Sequence, residues 1–231
     1  MRVEDIKNVL VFAAHHDDEV IGCGGTIKKL TSSGVDVHVV FATDGATGID
    51  HTRDYEDNIE TERVKESKLV AKVLGIKSTY DWSESCQNLQ YSSELMQKAV
   101  GLIRKIRPEI ILTHSKFEKH SDHQVLSQIV TQAAWKASED ILPDLGVPHI
   151  VPNVWAYEVV DTLPEVHFCV DVSKHFNAKI AAMKIYSSQH NVVSGISELM
   201  LGHSMIRGYD IMSKHAEAFM NISIQPKEVL T

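Results

Sequence analysis

The sequence is poor in cysteine, in long apolar runs and in clustered positive charge, and each shortage excludes a class of protein. Its 231 residues include three cysteines, Cys23, Cys86 and Cys169, which are far apart and in no C-x-x-C spacing. An odd number of widely spaced cysteines does not make a disulfide framework, so we expect a reducing, cytoplasmic location. No apolar run approaches the roughly 18 residues that span a bilayer, and residues 1–7 lack the apolar core of a signal peptide.

The charge balance is acidic, with 23 Lys and Arg against 31 Asp and Glu and a formal net charge of −8. A chain of this kind, without a basic cluster interleaved with aromatic residues, is unsuited to a nucleic-acid groove or an anionic membrane. We therefore expect a small-molecule substrate, no nucleic-acid partner and no membrane insertion. The apolar content of 43% is typical of a globular protein, and we predict one domain over residues 1–231.

Short apolar runs alternate with stretches of helical periodicity, which is typical of βαβ proteins. The predicted strands cover residues 8–14, 35–42, 79–82, 109–113, 154–160, 167–172 and 216–220. The predicted helices cover residues 26–33, 56–74, 92–106, 124–137, 177–186 and 196–214. The pattern predicts a Rossmann-like three-layer α/β/α fold with a mostly parallel sheet, in which ligands bind at the carboxyl ends of the strands.

Two histidines and three carboxylates, His15-His16-Asp17-Asp18-Glu19, follow the first predicted strand directly. His15 and Asp18 offer one nitrogen and one anionic oxygen, which are ligand types that zinc takes. Asp17 beside them is a carboxylate that is free to act as a base. Alone, this run fits a solvated acidic helix start equally well. The glycines after it do not form a G-x-G-x-x-G dinucleotide motif, which makes nucleotide binding a weak alternative.

A second cluster, His120-Ser121-Asp122-His123, follows the predicted strand 109–113 at the same edge of the sheet. Joining His123 to His15 and Asp18 gives three protein ligands and leaves one coordination position open, as a catalytic zinc requires. The two clusters together therefore predict a metal site at the carboxyl ends of the strands.

Both clusters resemble the LmbE/PIG-L family of zinc-dependent N-acetylglucosaminyl deacetylases. Residues 14–19 resemble the family's Ala-His-Pro-Asp-Asp-Glu, residues 120–123 resemble its His-Pro-Asp-His, and further matches run in order to residues 216–219. The resemblance implies a hydrolase that removes the acetyl group from an N-acetylglucosamine-type amino-sugar conjugate and releases acetate. It implies Zn²⁺ as the cofactor, with Fe²⁺ as a second choice because His and carboxylate ligands suit both ions. It also implies a homo-oligomer, a trimer or a hexamer.

Carried over position by position, the resemblance also implies roles for individual residues. The implied metal ligands are His15, Asp18 and His123. Asp17 would be the general base, His120 would face the developing oxyanion as a cation, and Arg63 would contact the sugar. The residues expected to lie behind the metal ligands are Asp44, His114 and Asp122, of which Asp122 orients an imidazole and His114 is an alternative ligand.

Several positions depart from the family pattern. His16 and Ser121 stand where relatives carry proline, and we expect His16 to be a partly exposed bystander. Glu118-Lys119 replaces the Asp-Arg of many members, and Cys86 opens a turn that contains aspartate in several relatives. These departures bear on substrate choice more than on chemistry.

Two other functions stay open at this point. A hydrolase of another amide or ester would use the same site, and a non-catalytic metal-binding or sugar-binding protein would keep the ligands without turnover. The sequence also leaves open whether His120 or Asp17 protonates the leaving amine. We expect Trp82, Trp135 and Trp155 to lie in the core rather than to stack on a sugar.

Overall fold

A computed structural model of the chain describes residues 3–49, 58–189, 192 and 194–224. Its strands are β1 (Asn8–Ala13), β2 (Asp36–Thr43), β3 (Ser78–Glu84), β4 (Ile110–His114), β5 (Asn153–Tyr157), β6 (Phe168–Asp171) and β7 (Ala216–Asn221). Its α-helices are α1 (Asp18–Ser32), α2 (Ile59–Leu74), α3 (Ser93–Ile106), α4 (Ser121–Ser138), α5 (Phe176–Ile185) and α6 (Ile196–Asp210).

The strands form one sheet in the order β3-β2-β1-β4-β5-β7-β6. The strands β1 to β5 pair in parallel, and β7 runs antiparallel to both β5 and β6. The prediction of a three-layer α/β/α fold with a mostly parallel sheet is confirmed.

Alternate residues of β1 enter two separate hydrophobic cores, one on each face of the sheet. Val9 and Val11 pack in the core beneath α1, α2, α5 and α6, whereas Leu10 and Phe12 pack in the core beneath α3 and α4. A strand covered on both faces must be apolar throughout, which explains the uninterrupted run in the sequence. Its polar continuation, from His15 onward, begins where the strand leaves the two cores.

Helix α1 begins at Asp18, eight residues before the predicted start at residue 26. Glycines that are typical of a turn lie inside this helix, because they permit close packing rather than a bend. A Cβ atom at Gly22 would lie 2.2 Å from Tyr157 Cδ2, and one at Gly25 would lie 2.8 Å from Val172 Cβ. The helix is kinked at Cys23, where φ is −142°.

The other element boundaries move by a few residues. Helix α4 begins at Ser121 instead of 124, which places His123 in its first turn, and α6 ends at Asp210 instead of 214. Helix α2 begins after an Asn58 cap, and residue 56, the predicted start, lies outside the described residues.

Trp82 is buried as expected, but Trp135 is 38% exposed, so the expectation of a core position is wrong there. Within the described residues, every helix is too short or too polar to cross a bilayer.

Candidate metal centre and active site

The two sequence clusters meet because β1 and β4 are neighbours in the sheet and end at the same edge. His15 and Asp18 follow β1, and His123 lies in the first turn of α4 after β4. Asp18 Oδ2 lies 3.2 Å from His15 Nδ1 and 3.4 Å from His123 Nε2, and those two nitrogens are 3.3 Å apart. Three donor atoms therefore form a nearly equilateral triangle.

This triangle has the size that a tetrahedral metal ion requires. Zinc binds histidine nitrogen and carboxylate oxygen at about 2.0–2.1 Å, which puts neighbouring tetrahedral ligands about 3.3–3.4 Å apart. The three measured edges lie within 0.2 Å of that separation. The donor set of two imidazoles and one carboxylate fits a divalent transition metal and leaves a fourth position for water or substrate.

The electrostatics of the cluster favour positive charge. Burial opposes protonation of His123, but the Asp18 carboxylate raises the pKa of this imidazole to about 9. Burial likewise opposes ionisation of Asp18, yet the imidazoles of His123, His114 and His15 hold the pKa of this carboxyl well below its usual value. A pocket that stabilises protonated imidazole beside an ionised carboxylate also stabilises a bound cation.

Asp122, predicted to orient an imidazole, lies behind His15. Its Oδ2 is 3.2 Å from His15 Nε2 and also accepts the Gln87 N–H at 2.8 Å, while Oδ1 accepts the Leu89 N–H. These bonds hold the pKa of Asp122 below its ordinary value although burial opposes them. An ionised carboxylate accepts a hydrogen bond from Nε2–H and so keeps the proton of His15 on that nitrogen. The lone pair of His15 is then on Nδ1, the nitrogen that belongs to the donor triangle.

His114, the alternative ligand, is fully buried at the end of β4. Its Nε2 accepts the Ala14 N–H at 2.9 Å, and its ring stacks on His123 with centroids 4.0 Å apart. Burial lowers the pKa of His114 to about 4, so the ring is neutral. Because its Nε2 lone pair already accepts a hydrogen bond, His114 is better suited to supporting His123 than to binding a metal.

Asp17 occupies a conformation that few residues other than glycine adopt, with φ at 141°. Its Oδ2 lies 3.3 Å from Arg63 Nη2, which also donates to the carbonyl oxygen of His16 at 2.5 Å. The Asp17 N–H donates to Glu19 Oε2 at 3.1 Å. Burial raises the pKa of Asp17 to about 6, against the opposing charge of Arg63. A carboxyl with a pKa near 6 can exchange protons in the neutral range.

Arg63, predicted to contact the sugar, is only 3% exposed, and its guanidinium is directed at Asp17, His16 and Gly45. Gly45 has a φ of +67°, and a Cβ there would lie 2.5 Å from Arg63 Nη1. The arginine therefore packs against the loop after β2 and restrains the segment that carries Asp17.

His120 caps the amino end of α4, where its Nδ1 accepts the Asp122 N–H at 3.2 Å. Burial and the neighbouring imidazoles of His15 and His123 lower the pKa of His120. This setting disfavours the cationic His120 expected from the sequence. A neutral ring that accepts at Nδ1 carries its proton on Nε2, so this side chain presents an N–H donor without a net charge.

Glu118 is a residue whose position sequence reasoning missed. It is 1% exposed, and its carboxylate accepts backbone N–H groups of Val159, Val160 and Asp161 at 2.9–3.3 Å. Its Oε2 also lies 3.6 Å from His123 Nδ1. Glu118 therefore joins a candidate metal ligand to the segment after β5.

We expect Glu118→Gln to lower metal affinity towards the lower end of the about 10–100-fold range that is usual when the carboxylate behind a ligating histidine is removed, because the 3.6 Å separation is longer than a hydrogen bond. An amide accepts the backbone N–H groups only in part and carries no charge opposite the His123 ring. Metal content after dialysis against a graded chelator buffer measures the effect. Glu165→Gln is the matched control, since that side chain is 74% exposed. Equal metal retention in both variants would contradict the assigned contact.

His16 and Asp44 complete the set of positions singled out in the sequence. His16 is buried rather than partly exposed, with Nε2 2.7 Å from Asp81 Oδ1 and its ring stacked on Phe41. The bond to Asp81 restrains the turn that precedes Asp17. Asp44 accepts the N–H groups of Ala46 and Cys86, which makes it a turn residue next to the site.

A cavity of about 190 Å³ adjoins the donor triangle. Its lining includes Asp17, Asp18, Arg63 and three histidines. Further lining residues are the apolar Ile21, Val159, Val160, Val192 and Ile196 and the more polar Thr47, Gly48, Cys86, Gln87 and Gln189. The cavity can therefore hold a small ligand that makes both apolar contacts and hydrogen bonds.

Comparison with known proteins agrees with this geometry. The family model described as "PIG-L: GlcNAc-PI de-N-acetylase" matches residues 10–134, which include both clusters. The chain belongs to the PIG-L family. Diacetylchitobiose deacetylase of Thermococcus kodakarensis is 32% identical over 194 residues, covering 80% of this chain and 71% of that protein.

Two further similarities extend the comparison. A 1D-myo-inositol 2-acetamido-2-deoxy-alpha-D-glucopyranoside deacetylase of Mycobacterium sp. strain KMS is 26% identical over 247 residues, covering 87% of this chain and 80% of that protein. The structure of N,N'-diacetylchitobiose deacetylase from Pyrococcus horikoshii with its inhibitor MPG superimposes with a TM-score of 0.86 at 25% identity, covering 95% and 85% of the two chains. These findings confirm the family prediction and the prediction that this PIG-L chain is an N-deacetylase.

Proposed function

We propose that this PIG-L protein is a zinc-dependent deacetylase of N-acetylglucosamine-type amino-sugar conjugates. The observation that carries the proposal is the donor triangle of His15 Nδ1, Asp18 Oδ2 and His123 Nε2, with edges of 3.2–3.4 Å, beside a buried carboxyl at Asp17. The triangle supplies the ligands and Asp17 supplies the base.

His15, Asp18 and His123 would hold the ion. When bound, a zinc ion lowers the pKa of water from about 15.7 towards 7 and polarises an amide carbonyl. Asp122 behind His15 and Glu118 behind His123 keep the ligand rings oriented. His114 supports His123 by stacking on its ring.

Asp17 would act first as the base and then as the acid. Its carboxylate accepts a proton from the water that attacks the acetyl carbonyl carbon, and the protonated carboxyl returns it to the nitrogen of the leaving amine. Burial, which raises its pKa to about 6, suits both steps, because the carboxylate that predominates at neutral pH can accept a proton and its conjugate acid can readily return it. Arg63 and Glu19 hold the segment in place by the contacts described above, which gives Arg63 a positioning role.

His120 would stabilise the oxyanion through its Nε2–H. The Asp122 N–H on Nδ1 leaves Nε2 as the donor towards the cavity. A neutral donor placed in advance stabilises developing charge without needing a protonated ring. Acetate and a free amino sugar leave the site.

The substrate class is inferred from the family and its relatives. Diacetylchitobiose and the inositol glycoside in the names of the two relatives share a 2-acetamido sugar and differ in the group attached to it. We infer the same 2-acetamido group for this chain, and a cavity lined by both polar and apolar side chains suits a sugar ring.

Acetate release from N,N'-diacetylchitobiose and from an N-acetylglucosaminyl inositol, with metal content measured on the same preparation, tests the proposal. We expect turnover that is lost after chelator dialysis and restored by Zn²⁺, with Fe²⁺ under anaerobic conditions as the comparison. N-acetyl amino acids and simple acetyl esters test for a hydrolase of other bonds. Faster hydrolysis of those compounds, or bound metal with no turnover of any compound, would overturn the proposal.

A further inference from the structure

The two ring nitrogens of His15 face two different sets of donor atoms. Nδ1 belongs to the donor triangle with Asp18 and His123, whereas Nε2 lies 3.2 Å from Asp122 Oδ2. Cys86 lies close to both His15 and Asp122. One donor atom each from His15, Cys86 and Asp122 lie within 4.8 Å of one another, and all three residues are buried.

We propose that His15, Cys86 and Asp122 form a second metal site, for thiophilic divalent ions such as Cd²⁺ or excess Zn²⁺, whose occupation inhibits the enzyme. The inference rests on the proposed function in one respect, because His15 serves both sites. The mixed sulfur, nitrogen and oxygen donor set selects against Mg²⁺ and Ca²⁺, which prefer oxygen ligands.

Hydrogen bonds hold the donors of this second site in place. The Cys86 N–H donates to Asp44 Oδ1 at 3.1 Å, and the Thr47 hydroxyl donates to Cys86 Sγ at 3.1 Å. The next residue, Gln87, has a φ of 64° and donates its N–H to Asp122 Oδ2. The turn therefore links the cysteine to the aspartate, and these hydrogen bonds restrain both side chains.

The substrate cavity gives access to this second site, because Cys86 and His15 both line it. An ion that binds there displaces two protons to solvent, one from the Cys86 thiol and one from His15 Nε2. It thereby replaces the hydrogen bond by which Asp122 orients His15. Because two protons leave as the divalent ion enters, the net charge of the group is unchanged, but the ion takes up space next to His120, whose ring centroid lies 4.6 Å from that of His15. Both changes disturb the proposed machinery, which is why occupation is expected to inhibit.

Titration of chelator-stripped, full-length protein with Co²⁺ tests the proposal, because a thiolate ligand gives Co²⁺ an intense near-ultraviolet charge-transfer absorption. We expect two ions per chain, with the absorption arising on the second equivalent. Cys86→Ser is expected to bind one ion without this absorption. Cys169→Ser is the matched control, because it removes a thiol on β6 and leaves Cys86 unchanged.

Acetate release under increasing Zn²⁺ gives the second measurement, each variant being compared with its own maximal rate. Wild type and Cys169→Ser should lose activity as the second ion binds. For Cys86→Ser, the Zn²⁺ concentration that inhibits should be more than about 100-fold higher, because this substitution removes a metal ligand itself and not only a residue that orients a ligand. One ion per chain in wild type, charge-transfer absorption on the first equivalent, or a second ion that leaves the rate unchanged would overturn the inference. The proposed function fails separately, if protein with one bound ion hydrolyses no N-acetyl sugar.

Discussion

Asp17→Asn should lower kcat by about 10²–10⁴-fold, towards the upper end because one carboxyl serves as both base and acid. Asparagine matches aspartate in size and shape, so it should bring no backbone strain at the φ of 141° beyond that which aspartate already carries. Its amide oxygen can still accept from Arg63, so the fold and the donor triangle should persist. Only the capacity to take and return a proton is removed.

The measurement is acetate release at saturating substrate together with metal content of the same sample. We expect Asp17→Asn to retain the ion, and His15→Ala to lose both ion and turnover. Asp81→Asn is the matched control, because this carboxylate contacts His16 outside the reacting cluster and should change the rate far less. Loss of metal in Asp17→Asn would show that Asp17 is a ligand, and a rate near wild type would assign the proton transfer to another group.

Glu217→Gln should lower the free energy of unfolding by about 3–5 kcal/mol, the usual loss when one partner of a buried ion pair is removed. Glu217 Oε1 lies 2.6 Å from Lys179 Nζ, and these residues are 4% and 3% exposed. The same carboxylate accepts the N–H groups of Gly25 and Thr26 at 2.9 and 2.7 Å. Those N–H groups follow the kink at Cys23, so Glu217 stabilises the kinked form of α1.

Glutamine would leave the Lys179 ammonium buried without an opposite charge. Its side-chain N–H atoms would also face groups that are themselves hydrogen-bond donors, the Lys179 ammonium and the backbone N–H groups of Gly25 and Thr26. For a chain of this length the loss corresponds to a fall in Tm of roughly 6–20 °C. Lys179→Met should destabilise less, because the remaining carboxylate keeps two backbone donors. Lys119→Met, which removes an exposed pair with Asp161, should stay within about 1 kcal/mol of wild type. Thermal and urea unfolding measure all three, and equal effects for Glu217→Gln and Lys119→Met would refute the assigned role.

The two predictions concern one structural unit. Helix α1 carries Asp18 in its first turn, and Asp17 immediately precedes it. The closing strand β7 holds the middle of this helix through Glu217, while Arg63 of α2 and Tyr186 hold its beginning. Tyr186 does so by donating to Glu19 Oε1 at 2.7 Å, and Glu19 accepts the Asp17 N–H. The position of the proposed base thus depends on elements from across the chain.

Much of the molecule was predictable because its signals are local. The apolar strands covered on both faces, the helical periodicity between them and the polar residues at two strand ends together predict the fold class. They also predict that His15, Asp18 and His123 approach one another, since the carboxyl ends of neighbouring parallel strands meet at one edge. The family follows from the same two motifs, and the family model that matches residues 10–134 confirms it.

Other features depended on contacts between residues far apart in the sequence. The glycines after Asp18 have the composition of a turn, yet they lie in a helix because Tyr157 and Val172 pack where side chains would otherwise stand. A residue pattern does not reveal that backbone N–H groups surround Glu118. Nor does it reveal that the Asp122 N–H donates to His120 Nδ1 and so favours the neutral ring with its proton on Nε2. Burial and hydrogen-bond partners arise only when the chain is folded, and they decide protonation and orientation. Residue types and strand ends therefore define which chemistry is available, and tertiary packing determines the state in which each group is held.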